Sequence, residues 1–212
     1  MTDHYPYRIS VERRDLFLIW RPGEGDEPAE LIVDAHGRLA AFDDLQALEE
    51  HCANNRWELV PEVDDALDLR PVRQWVKHPH LRLASAGLLL EAWNFFDDLS
   101  HSLKARSSMP SQGAIHNMAY EKIYSGDPLS RHSGEDAWTD EETAAVRELL
   151  RAGLKLWERA VAASDTPSRT GGRFRSRHAA RTDQAPPARA LLPESSRLPY
   201  ERSSEGSQAW NQ

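Results

Sequence analysis

A chain of 212 residues with a formal net charge of −8 has room for one domain and a tail, or for two small domains. Its one cysteine, Cys52, excludes an internal disulfide framework. The opening MTDHYPYRIS is too polar for a secretory signal, so a reducing cytoplasm is the expected compartment.

The first 60 residues read as hairpins of one antiparallel sheet. Tyr7 to Glu12 and Leu16 to Arg21 are short runs rich in β-branched and aromatic residues, followed by the turn-prone segment at 22–28. Glu30 to Asp34 and Leu39 to Phe42 flank AlaHisGlyArg at 35–38 as a second hairpin. Asp43, with Gln46 three residues on, predicts the N-cap of a short amphipathic helix whose inner face carries Leu45, Leu48 and Cys52. Trp57 to Val60 reads as a further strand closing the sheet. Asp64 to Val76 is ambiguous, although Pro71 can open a helical turn that sets Val72, Trp75 and Val76 against the core. LysHisProHis at 77–80 ends it, because the residue before a proline avoids the helical region.

The longest apolar-rich run, Leu81 to Ala105, predicts the buried central helix, roughly 35 Å long. Leu89, Trp93, Phe96 and Leu103 form one stripe, and Ala92, Phe95 and Leu99 widen it. Glu91, Asn94, Asp97, Asp98 and His101 interrupt it too often for a membrane span. Ala114 to Tyr124 predicts another helix, with Ile115, Met118, Ala119 and Ile123 at helical spacing. Thr139 and Glu142 form a capping box for a last helix running to about Ala163, with Val146, Leu149, Leu150, Leu154, Trp157 and Val161 facing inward. Arg147, Arg151, Lys155 and Arg159 recur every four residues on its outside.

From Thr166 onward Pro, Gly and seven Ser are scattered among eight Arg, with four acids and no helical or strand period. Such a composition cannot bury enough surface to offset its ordering entropy. The expected organisation is an α+β domain over 1–165, an N-terminal antiparallel sheet followed by helices, and a disordered basic tail over 166–212. Residues 1–165 keep 18 basic and 30 acidic side chains, a net of −12. An acidic body repels nucleic acid and attracts basic partners, whereas the basic tail is compatible with nucleic acid.

No catalytic constellation stands out. No Gly-x-Ser-x-Gly elbow and no phosphate loop is present. Cys52 falls on an apolar helix face, where a free cysteine is a small core residue. The one geometric candidate is the strip Glu91, Asn94, Asp98 and His101, at steps of three, four and three on one helix. It could ligate a divalent ion only with matching ligands on a second helix, where just His116 and Glu121 are on offer and the paired Glu-x-x-His pattern is missing. No cofactor and no metal is expected.

LeuLeuLeuGluAlaTrpAsnPhePheAspAspLeu (88–99), TyrGluLysIleTyr (120–124), Trp138 with its acidic cap and GlyLeuLysLeuTrp (153–157) form a pattern. It resembles that of bacterial immunity proteins of contact-dependent or polymorphic toxin systems. ValAspAlaHisGlyArgLeuAlaAlaPheAspAspLeu (33–45), a hairpin running into a helix, is similar to their N-terminal part. The resemblance spans about residues 5–163. It implies a stoichiometric inhibitor, not an enzyme, that binds the toxin domain of a cognate effector, and many such toxins are basic nucleases. No binding residue transfers with it, because such interfaces vary with the toxin. The exposed acids expected to make the contact are Glu91, Asp97 and Asp98 with His101, and then Asp64, Asp65 and Asp68. Two other readings stand beside this one: a cytoplasmic adaptor with a basic tail, and a metal-dependent enzyme using the Glu91–His101 strip.

Overall fold

Strands β1 (Tyr5–Val11) and β2 (Arg14–Arg21) pair antiparallel along their whole length, from Tyr5 opposite Trp20 to Val11 opposite Arg14. Alternation divides their side chains between the faces. Ile9, Leu16, Leu18 and Tyr7 join the main core, and Phe17 and Ile19 a smaller core on the other side. The computed structural model describes residues 3–11, 14–25, 27–60, 66–81, 83–129 and 137–164. The tail expected from Thr166 and the candidate acids Asp64 and Asp65 lie outside the described residues.

β3 (Glu30–Leu31) and β4 (Ala41–Phe42) both pair antiparallel with β2, one after the other along the same edge. Between them Val33 bridges Leu39, and Gly37 takes φ 74° to close the turn on Asp34. Helix α1 (Leu45–Asn55) then covers the smaller core with Leu48 and Cys52, as the spacing predicts. Its cap is Asp44, whose carboxylate accepts from Ala47 N at 2.8 Å; Asp43 sits one residue too early and faces Arg14 instead.

The sheet is mixed rather than purely antiparallel. β5 (Leu67–Asp68) runs parallel to β1, with Ile9 opposite Leu67 and Ser10 opposite Asp68. The expected strand at 57–60 reduces to one parallel bridge between Leu59 and His4. The physical reason is α1. It carries the chain across the sheet, and a crossover returns a strand in the parallel sense where a tight turn would reverse it.

Helix α2 (Leu69–Lys77) buries Val72, Trp75 and Val76, and resolves the ambiguity of that stretch. Asp68 caps it, so Pro71 falls in the first turn, where its missing N–H costs nothing. Helix α3 (Ala86–Ser102) is the central helix, and it is shorter than the apolar run: 17 residues, about 26 Å. Ser85 stops it at the front by accepting from Leu88 N at 3.2 Å, leaving Leu81 and Leu83 exposed. Its buried side packs on the sheet and on α2, α4 (Ala114–Ser125) and α5 (Asp140–Ser164). Ala119 and Ile123 of α4 are buried, but Ile115 and Met118 are exposed, because α4 is the outermost layer and only one stripe reaches α5.

The expected capping box of α5 is present. Glu142 N donates to Thr139 Oγ1 at 3.1 Å, and Thr139 N donates to Glu142 Oε2 at 2.7 Å. Lys122 of α4 adds an ion pair to the same carboxylate at 2.9 Å. Gly153 lets α5 approach α3 so closely that a Cβ there would lie 2.7 Å from Phe96 Cβ. α1 therefore covers one face of the sheet, and the helices α2 to α5 build the main core on the other. Among the described residues no helix is long and apolar enough to cross a membrane.

Candidate interaction face on helices α3 and α4

The polar positions of α3 do not form one strip. Asp98 turns inward, and the Trp20 indole N–H donates to its Oδ2 at 3.2 Å. Loss of solvent pushes this carboxyl up to about 6; the nearby Asp97 charge pushes the same way, and the Trp20 hydrogen bond and His101 oppose both. One turn on, Ser102 Oγ accepts from Leu31 N at 2.8 Å while donating to Asp98 O at 2.7 Å. Asp98 and Ser102 thus tie α3 to the sheet.

Glu91 is exposed, and the Tyr7 hydroxyl donates to its Oε1 at 3.3 Å. His101 is half-buried, with its Nδ1 3.5 Å from an Arg106 nitrogen. Asp68, in β5 at the start of α2, accepts from Arg70 N at 2.9 Å and from the Arg70 guanidinium at 2.7 Å. The Arg70 side-chain hydrogen bond holds the Asp68 carboxyl below its ordinary range. Of the acids expected to bind a partner, Asp97 is the one on α3 whose side chain has no hydrogen-bond or ion-pair partner among the described residues; its backbone carbonyl accepts from Ser100 Oγ at 2.9 Å.

Asp97 opens onto a hollow of about 390 Å³ between α3 and α4. Trp93 and Asn94 share its α3 wall, Asn117, Tyr120 and Glu121 come from α4, and Gln112 comes from the loop between them. Tyr120 is fixed there by its hydroxyl, which donates to Asn94 Oδ1 at 3.1 Å, and by an edge contact with Trp93 at 5.3 Å. Asp97 also borders a second hollow, about 610 Å³, reaching along the loop to Arg106. Sequence reasoning missed the first hollow as a unit. Tyr120 and Glu121 were visible as part of a helix, but nothing local says that the loop at 107–113 folds Gln112 back beside α3.

The face does not assemble a metal centre. Among the described residues no group of three His, Cys, Asp or Glu is placed to hold an ion. Glu121 and His116 stand on α4, but Asp98 is drawn to Trp20. Cys52 is buried, and burial raises its thiol pKa, which disfavours the thiolate.

The outside of α5 is mixed in charge. Arg151, Lys155 and Arg159, together with Glu148 and Glu158, line a hollow of about 730 Å³ along it. Arg147, expected in that row, donates instead to Val76 O at 2.6 Å, and Glu158 pairs with Arg73. On the α3–α4 face, the side chains of Asp97 and Glu121 have no hydrogen-bond or ion-pair partner among the described residues. No protein-family model, no curated protein and no solved structure matches this chain.

Proposed function

We propose that this chain is a cytoplasmic immunity protein that binds a basic toxin domain of the nuclease type and blocks it stoichiometrically, without catalysis of its own. One observation supports this above others. Asp97 and Glu121 face the same hollow, on a body of net −12, and neither has a cationic partner among the described residues. Opposed carboxylates left without a counter-charge favour a positively charged guest. The same field steers a basic domain during approach, over a range of about 8 Å at physiological ionic strength. Asp97 and Glu121, flanked by Glu91 and His101, would form the contact, with Asp98 holding α3 in place behind it.

The test is co-expression with the toxin domain encoded beside this chain. Survival of the cells, with recovery of a one-to-one complex, is expected. Cell death despite abundant folded protein, with no complex on pull-down, would end this reading. The hollow on α5, where Arg151, Lys155 and Arg159 outnumber Glu148 and Glu158, favours one alternative, an adaptor that docks an acidic partner there. A complex lost on Lys155→Glu but kept on Asp97→Lys would point there.

A further inference from the structure

We propose that the hollow between α3 and α4 is a receptor for a single guanidinium side chain. The immunity reading above supplies only the identity of the chain that carries this arginine.

The hollow has two aromatic residues and a surplus of acceptors. Trp93 and Tyr120 meet at 78°, and Tyr120 is backed by the near-parallel ring of Tyr124 at 6.3 Å. Asp97, Gln112, Asn117 and Glu121 border the same space, and none of these side chains has a hydrogen-bond or ion-pair partner among the described residues. Asn94 Oδ1 already accepts from Tyr120. A guest matched to this lining would bring several donors, carry positive charge and tolerate contact with rings.

That combination selects among ligands. Two carboxylates exclude an anion, and an apolar guest would leave them without a counter-charge. A metal ion would need at least a third ligand of the usual kind, and the aromatic walls supply none. An ammonium is compact and strongly hydrated, with three donors. A guanidinium is planar and weakly hydrated, presents five N–H groups and stacks on aromatic rings. The volume, about 390 Å³, lies near the small end of ligand pockets, which run from about 300 to 1,000 Å³.

The experiment is an NMR titration of the full chain with acetyl-Arg-Arg-Arg-amide, and with the matching lysine and citrulline peptides. The arginine peptide should move the Trp93 indole and Tyr120 signals and bind about tenfold tighter than the citrulline peptide, the usual scale of a charge-assisted hydrogen bond. Asp97→Asn with Glu121→Gln should weaken it by about tenfold on the same grounds. Glu49→Gln with Glu148→Gln, which removes as much charge from exposed sites elsewhere, should leave affinity nearly unchanged. Equal binding of arginine and citrulline peptides, or equal losses in the two double variants, would overturn the proposal. The two readings fail separately. Arginine binding at the hollow beside a toxin that still kills leaves the receptor standing and removes the immunity role. Full neutralisation by a chain that never binds the arginine peptide does the reverse.

Discussion

The indole N–H of Trp20, on β2, donates to the carboxylate of Asp98, on α3, across 3.2 Å. This places a titratable group inside the contact between sheet and helix. Its folded pKa is about 6 against an ordinary 3.8, so the folded state holds a proton that the unfolded chain releases between those values. Stability should therefore fall as pH rises through that window, by about 1–2 kcal/mol once partial solvent access is allowed for. Asp98→Asn keeps an acceptor for Trp20 and removes the charge. Urea unfolding at pH 7.5 should show it more stable than the parent by about that amount, with the gap closing near pH 4. A less stable variant at pH 7.5 would mean that the ionised carboxylate favours the fold.

Glu142 has the opposite sign. Desolvation pushes its carboxyl up, but Thr139 N and Lys122 together win and its pKa is lowered. A lowered folded pKa contributes stability above the unfolded value, and loses it as pH falls through the folded one. Glu142→Gln should cost about 1–3 kcal/mol at pH 7, since it weakens the capping box and leaves Lys122 without its charge partner. The cost should shrink toward pH 3. A cost independent of pH would assign Glu142 a packing role only.

Gly153→Ala tests the closest approach in the core. Alanine favours a helix over glycine by about 1 kcal/mol, yet the added methyl would collide with Phe96. Overpacking costs about 1–3 kcal/mol, so a net loss of thermal stability is expected. Phe96→Leu should relieve part of it, and the double-mutant cycle would show positive coupling. A higher melting temperature for Gly153→Ala alone would show that α3 and α5 have room to spare.

Charge reversal separates the face from the scaffold. Asp97→Lys with Glu121→Lys should not lower stability, because neither side chain has a hydrogen-bond or ion-pair partner among the described residues, and the change at Asp97 removes a like charge beside Asp98. It should slow association with a basic toxin domain by about tenfold or more at low salt, and by less as salt rises. Stopped-flow mixing at two ionic strengths measures both. Unchanged association would move the contact away from this hollow.

Much of the architecture was legible because periodicity reports burial. The stripe from Leu89 to Leu99, the box at Thr139 and Glu142, and the inner face of α1 all follow from spacing alone. Three features were not. The parallel pairing of β5 depends on where α1 delivers the chain, and no residue near Leu67 encodes that. The inward turn of Asp98 depends on Trp20, 78 positions away, so spacing alone groups Asp98 with Glu91, Asn94 and His101. The hollow takes its lining from two helices and a loop, and a linear reading weighs one helix at a time.

The parallel strand also fixes an order of events during synthesis. The β1–β2 hairpin can close once Arg21 has left the ribosome, but its far edge must wait for Leu67 and Asp68. Its apolar face, with Ile9, Leu16 and Leu18, waits longer still, until α3 brings Asp98 to Trp20. At about 5–20 residues per second, those 78 residues take roughly 4–16 s to make. For that interval a two-stranded hairpin stands with one greasy side bare, a marginal structure on its own and a template for wrong pairing. A nascent chain halted before α3 should be the form of this protein most dependent on chaperones.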